Sequence, residues 1–205
     1  MVGPLDVNCY IVWDKKTRDA VIIDPGGDAA VIEEEALDRG LTVRHIINTH
    51  GHFDHVGADE ELKHSMEAGV AIHFSDRALL ENFGRQCAQF GCAAVKRNPS
   101  ADLFIEDGME LGFGGLALRV LHTPGHTPGG VTLLIEGEKV IFTGDTLFAG
   151  SVGRTDLPGG SSDTLMDSIK EKILPLGDDV MVFPGHGPET TVGDERRSNP
   201  FLEGL

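Results

Sequence analysis

Four short stretches hold five of the chain's nine histidines. They are His50-Gly51-His52-Phe53-Asp54-His55, Thr123-Pro124-Gly125-His126, Thr143-Gly144-Asp145 and Phe183-Pro184-Gly185-His186. With Asp54 and Asp145, these histidines make a complete donor set for two metal ions. Imidazole and carboxylate donors without thiolates suit zinc, iron(II) or manganese, and they leave the metal Lewis-acidic and open to water. A fold that uses such a set must present four loops that are remote in sequence. Sheets do this well: strands fix the anchor points, and loops supply directions that regular structure lacks.

Spacing within the first stretch strengthens the reading. Side chains at 50 and 52 emerge two apart, as in an extended segment, while 54 and 55 are adjacent and point in different directions. One loop can then serve two ions. The alternative is a solvated polar turn that happens to be histidine-rich, and for a lone histidine that alternative would win. Four ligand-type residues in six, followed by three more His or Asp beside glycine, argue against chance. Asp145 taken alone would read as a turn aspartate after Gly144.

A chain of 205 residues with 40% hydrophobic content can bury one substantial core, so a single domain over 1–205 is expected. A net charge of −16 argues against nucleic acid or an anionic membrane surface as the main partner, since both call for a basic footprint. A small-molecule substrate is expected instead, and oligomeric state is left open. No apolar run of membrane-spanning length and no secretory leader pattern is present, so the expectation is a cytoplasmic protein. Cys9, Cys87 and Cys92 are odd in number and lack zinc-ribbon spacing, which fits reduced thiols. Cys87 and Cys92 could form a redox pair; the general burial of free cysteine reads them as small packed thiols.

Periodicity predicts alternating strands and helices, hence an α/β or α+β chain. Strands are expected at 8–13, 20–23, 43–48, 70–74 and 179–183, and near 103–106, 109–112, 115–121, 131–136 and 139–143. Helices are expected at 28–39, 57–68, 76–83 and 162–173. In the first of these, Asp28 is the N-cap, Gly40 the stop, and Ala29, Ile32, Ala36 and Leu37 the apolar face. Residues 84–101 give no regular pattern and read as a mobile loop. Asp24, in the turn Asp24-Pro25-Gly26-Gly27, either orients a ligand imidazole or caps its own turn.

The order HxHxDH, then HTPGHTPG at 122–129, FTGDTLF at 142–148 and FPGHG at 183–187 resembles the metallo-β-lactamase superfamily. Within it, GDTLFAGSVGRTDLPGG and FPGHGPETTVGDERRSNPFL are similar to the glyoxalase II (hydroxyacylglutathione hydrolase) branch, in the short form lacking a C-terminal helical domain. The resemblance implies an αββα sandwich. It assigns His50, His52 and His126 to one metal, Asp54, His55 and His186 to a second, and Asp145 to both. It further implies two divalent ions, zinc first with iron or manganese as options, and attack of a metal-bridging hydroxide, oriented by Asp54, on an S-acyl thioester such as S-lactoylglutathione.

Arg154 stands where full-length glyoxalase II carries a basic residue that holds glutathione, but Asp156 replaces the nearby aromatic. Arg154 is thus either a substrate contact or an ion-pair partner of Asp156 or Asp163. Persulfide dioxygenases share the GRTD loop and look similar. That alternative implies one iron held by His50, His126 and Asp145.

Overall fold

The computed structural model describes residues 1–92 and 97–204, which fold as two compact units. The first comprises Met1–Ile105 with Gly112–Leu116; the second comprises Glu106–Leu111 and the chain from Ala117 onward.

In the first unit, five strands form one sheet in sequence order: β1 (Tyr10–Trp13), β2 (Asp19–Ile23), β3 (Thr42–Ile47), β4 (Gly69–His73) and β5 (Leu103–Ile105). β1 runs antiparallel to β2, and the remaining pairs are parallel. Ala20-Val21-Ile22-Ile23 is buried throughout, as expected of an unbroken apolar run covered on both faces. Helix α1 (Ala29–Asp38) makes the crossover from β2 to β3. Ala29, Ile32 and Ala36 pack with Ile22, Val43 and Ile46, each large aliphatic contributing roughly 1.5–3 kcal/mol by burial.

Two details of α1 differ from expectation. Leu37 is exposed, because it falls beyond the edge of the buried stripe. Asp28 precedes the helix in a left-handed conformation and makes no cap; its Oδ2 accepts the Gly3 amide at 2.8 Å instead. Gly40 ends the helix as read, at φ 60.

The helix expected at 57–68 is shorter than read and is preceded by a separate turn. A single turn, α2 (Phe53–Val56), begins inside the first ligand motif, and α3 (Asp59–Ser65) follows after Gly57. Residues 84–101 are also more regular than their composition suggests. Helix α4 (Arg77–Glu81) leads into α5 (Phe83–Gln89), and Asn98 ties back by donating to the Glu81 carbonyl at 2.6 Å and accepting the Gly84 amide at 3.1 Å. The loop expectation therefore fails over 84–89. Residues 93–96 of that stretch lie outside the described residues.

The second unit is built on a six-stranded sheet of order β13-β12-β9-β8-β7-β6. Its strands are β6 (Glu110–Phe113), β7 (Leu116–His122), β8 (Val131–Ile135), β9 (Val140–Gly144), β12 (Met181–Pro184) and β13 (Thr190–Thr191), with a separate hairpin of β10 (Leu147–Phe148) and β11 (Ser151–Val152). β9 and β12 are parallel neighbours. The helix read at 162–173 is α6 (Ser162–Ser168) followed by a wider π turn over Ile169–Ile173, and Ser161 caps it through Thr164. Helix α7 (Val192–Ser198), capped by Thr191, escaped the periodicity reading. Leu165, Ile169, Ile173, Val182 and Val192 form this unit's core with Ile141. No helix among the described residues is long and apolar enough to cross a membrane.

Candidate metal site

In both units the ligand-type residues lie on the loops and turns that follow strands. In the first, the carboxyl ends of parallel β2 and β3 deliver Asp24 and the run Asn48-Thr49-His50, the usual place for ligand-binding loops on parallel sheets. His50, Asp54 and His55 are buried, and His52 is partly exposed. The His50 ring centroid lies 4.8 Å from that of His52 and 4.1 Å from that of His55, so the three imidazoles form one cluster. His55 Nε2 is 3.7 Å from Asp54 Oδ2.

The buried carboxylate of Asp24 sets the protons of this cluster. Its Oδ1 accepts the Thr49 amide at 2.7 Å, and its Oδ2 accepts the Thr49 hydroxyl at 2.6 Å and His55 Nδ1–H at 3.0 Å. Because the Thr49 hydroxyl spends its one proton on Asp24, its oxygen can only accept from His50 Nδ1, 3.2 Å away. Both histidines are then Nδ1–H tautomers with Nε2 as the lone-pair nitrogen, the arrangement expected of metal-binding imidazoles. Of the two roles open to Asp24, the structure displays the orienting one. Asp24 adopts φ 50, a left-handed conformation that Asp tolerates better than most residues.

Backbone contacts hold the loop from beneath. A Cβ on Gly26 would lie 1.6 Å from the Asp54 carbonyl oxygen, so only glycine allows this approach. Asp76 Oδ2 accepts the Gly51 amide at 2.9 Å. Gln86, on α5, accepts the Phe53 amide at 3.2 Å and donates to the carbonyls of Gly51 at 3.2 Å and Leu79 at 2.9 Å. The Phe90 ring stacks on Phe53 at 4.8 Å. The peptides on both sides of His52 are therefore fastened to α5. Asn48 Nδ2 donates to the Asp59 carboxyl at 3.1 Å and lies 3.4 Å from the His55 carbonyl. Burial, reinforced by the charges of Asp24 and Glu60 and opposed by the Asn48 hydrogen bond and Lys63, holds Asp59 well above the usual carboxylate range.

The second unit carries three ligand candidates. His126, between β7 and β8, is buried, and its Nδ1 lies 2.7 Å from the Arg154 carbonyl oxygen. A carbonyl only accepts, so here too the proton sits on Nδ1. Nε2 of His126 is 3.5 Å from Asp145 Oδ2, and Nε2 of His186 is 3.9 Å from the same oxygen. Asp145 follows β9 and His186 follows β12; the parallel register and the bond from the Gly185 amide to the Gly144 carbonyl at 2.8 Å bring their loops together. Gly153 is required behind them, since a Cβ there would stand 1.8 Å from the Asp145 carbonyl oxygen.

Arg154 pairs with Asp156 rather than Asp163. Nε to Oδ1 is 2.7 Å and a terminal nitrogen to Oδ2 is 2.8 Å, a two-pronged contact in solvent. The guanidinium hydrogen bond lowers the Asp156 carboxyl to about 2. The Arg154 main chain orients His126, a role independent of its side chain.

Asn48, Thr49, Asp76 and Gln86 were missed in the sequence. Each acts through tertiary contacts to a loop, and no spacing signals that.

Residues 2–186 match the metallo-beta-lactamase superfamily. The chain is 42% identical over 198 residues to hydroxyacylglutathione hydrolase GloC of Haemophilus influenzae, covering 95% of this chain and 92% of that protein. It is 35% identical over 201 residues to human persulfide dioxygenase ETHE1, covering 94% of this chain and 70% of that protein. Among solved structures, BLEG-1 B3 metallo-beta-lactamase superposes with a TM-score of 0.92 at 38% identity, covering 99% of this chain and 97% of that one. TTHA1623 in a di-iron-bound form gives 0.89 at 40% identity, covering 98% of each chain.

Proposed function

Since the chain belongs to the metallo-β-lactamase superfamily and has its fold, we propose that it is a metal-dependent hydrolase of S-acyl thioesters, of the S-lactoylglutathione type. The observation that carries this reading is the similarity to a hydroxyacylglutathione hydrolase across nearly the full length of both chains.

The donor set fits two divalent ions: His50, His52 and His126 would hold one, Asp54, His55 and His186 the other, and Asp145 both. The Nδ1–H tautomers at His50, His55 and His126 support that fit, because they turn Nε2 toward coordination. Zinc is the first choice and iron or manganese the alternatives, as these ligands do not discriminate among them. Such ions would supply a water ionised near neutral pH and an electrophile for the acyl carbonyl. Among the chain's own groups, Asp54 orients the attacking water by accepting its hydrogen bond. Asp24 and the Arg154 carbonyl keep the imidazoles in register. The departing thiol has a pKa of about 8.5 and leaves as thiolate, so no strong general acid is needed. A substrate carboxylate can be met by Arg154 only in competition with Asp156.

One observation favours a second reading. The similarity to a persulfide dioxygenase also spans nearly all of this chain, and that chemistry would use one iron on His50, His126 and Asp145. Zinc-, manganese- and iron-reconstituted protein should be assayed for loss of the S-D-lactoylglutathione thioester, and in parallel for oxygen uptake with glutathione persulfide. Thioester loss without oxygen uptake is the expected result. Oxygen uptake alone would replace the hydrolase reading with the dioxygenase.

A further inference from the structure

The end of α5 brings two thiols together through the geometry of its cap. After Phe90 the chain turns left-handed at Gly91, φ 74, and the Cys92 amide donates to the Cys87 carbonyl at 2.9 Å. This is the Schellman arrangement, in which the residue after the glycine folds against a residue in the last helical turn, commonly through an apolar contact. Here both positions are cysteine. Cys87 packs with Phe53 and Phe83, and Cys92 lies partly buried against the same cluster. With standard bond lengths the backbone contact leaves the two Cα atoms within roughly 7 Å, the range in which a disulfide can close.

We propose that Cys87 and Cys92 are a dithiol site for low-molecular-weight disulfides such as oxidised glutathione, closing to an intrachain disulfide at the end of α5. Cys92 is the more exposed of the two and reacts first. Its thiolate attacks one sulfur of the small disulfide, giving a mixed disulfide and releasing one thiolate. Cys87 then loses its proton to solvent and attacks the Cys92 sulfur, expelling the second thiolate. Two protein thiols are oxidised and one small disulfide is reduced. Burial holds the Cys87 thiol above its ordinary value, so it is slow toward external reagents, but its target is delivered by its neighbour. Cys9 takes no part: it packs in a different apolar cluster.

The bridge would close a ring that starts at Cys87, one residue beyond Gln86, and contains Phe90. Gln86 and Phe90 are the side chains that fasten the Gly51–Phe53 segment, so the oxidised form is expected to hold that segment more rigidly.

The test is to equilibrate the full-length protein with oxidised glutathione, then denature and alkylate it with iodoacetamide. The untreated chain should alkylate at all three cysteines, and the treated chain at Cys9 alone, with the mass of two hydrogens lost and dithiothreitol restoring both thiols. Cys87→Ser should stop at a glutathione adduct on Cys92, and Cys92→Ser should leave Cys87 alkylable. A wild-type chain that keeps glutathione on Cys92, or still alkylates at three sites, would overturn the proposal. Hydrogen exchange of the peptide containing Phe53 should slow in the disulfide form; unchanged exchange would refute the link to the ligand loop.

Discussion

Asp24 takes three hydrogen bonds at once and thereby decides which nitrogen two histidines present, which makes it the most informative residue to alter. Asn tolerates the same left-handed backbone, so Asp24→Asn changes the carboxylate and little else. It should weaken metal binding about 10–100-fold, read by competition with a chromophoric chelator. Affinity equal to wild type would mean the Asp24 bonds are incidental. Asp59 gives a pH test. Its carboxyl is raised in the fold, so its stabilising effect is full below the unfolded-state value, and stability is lost as pH rises toward the folded value. Asp59→Asn keeps the Asn48 contact without an ionisable group. Its melting temperature should exceed wild type at neutral pH, with the advantage vanishing near pH 3; a constant difference across that range would contradict the argument. The seven ligand candidates were legible in the sequence because four crowd into six residues and the other three each sit beside glycine in a short motif. Thr49, Asn48 and Asp59 were not, since their roles depend on contacts that form only once β3 and the turns beside it have packed.

Among the elements, α5 does what composition concealed. Its segment reads as irregular because Gly84 and Gly91 flank weak periodicity, yet Gln86 makes three hydrogen bonds that hold the ligand loop. Gln86→Leu preserves volume but strands the Phe53 amide and the Gly51 carbonyl. It should cost about 1–3 kcal/mol in denaturant unfolding and raise exchange at Phe53. An unaltered midpoint would show the clamp to be dispensable. The strands were the best-read elements. Their apolar runs and turn glycines are local signals, and most boundaries fell within a residue or two. Helix ends fared worse: Asp28 was taken for a cap, but it serves Gly3 through tertiary structure.

At the scale of the whole molecule, the sequence motifs name a ligand set drawn from both compact units, and the account stands or falls on whether those residues act as one centre. The net charge of −16 disfavours anionic macromolecules, but it says little about a pocket whose local field would be set by bound dications. Fold class was legible because motif order resembles one superfamily, whereas αβ periodicity alone left several architectures open. The most direct measurement is bound metal per chain, by mass spectrometry of dialysed protein, for wild type, Asp145→Ala and His126→Ala, with thioester hydrolysis assayed on the same samples. The account predicts two ions and activity in wild type, with fewer ions and no activity in both variants. Two tightly held ions and full activity in Asp145→Ala would contradict it.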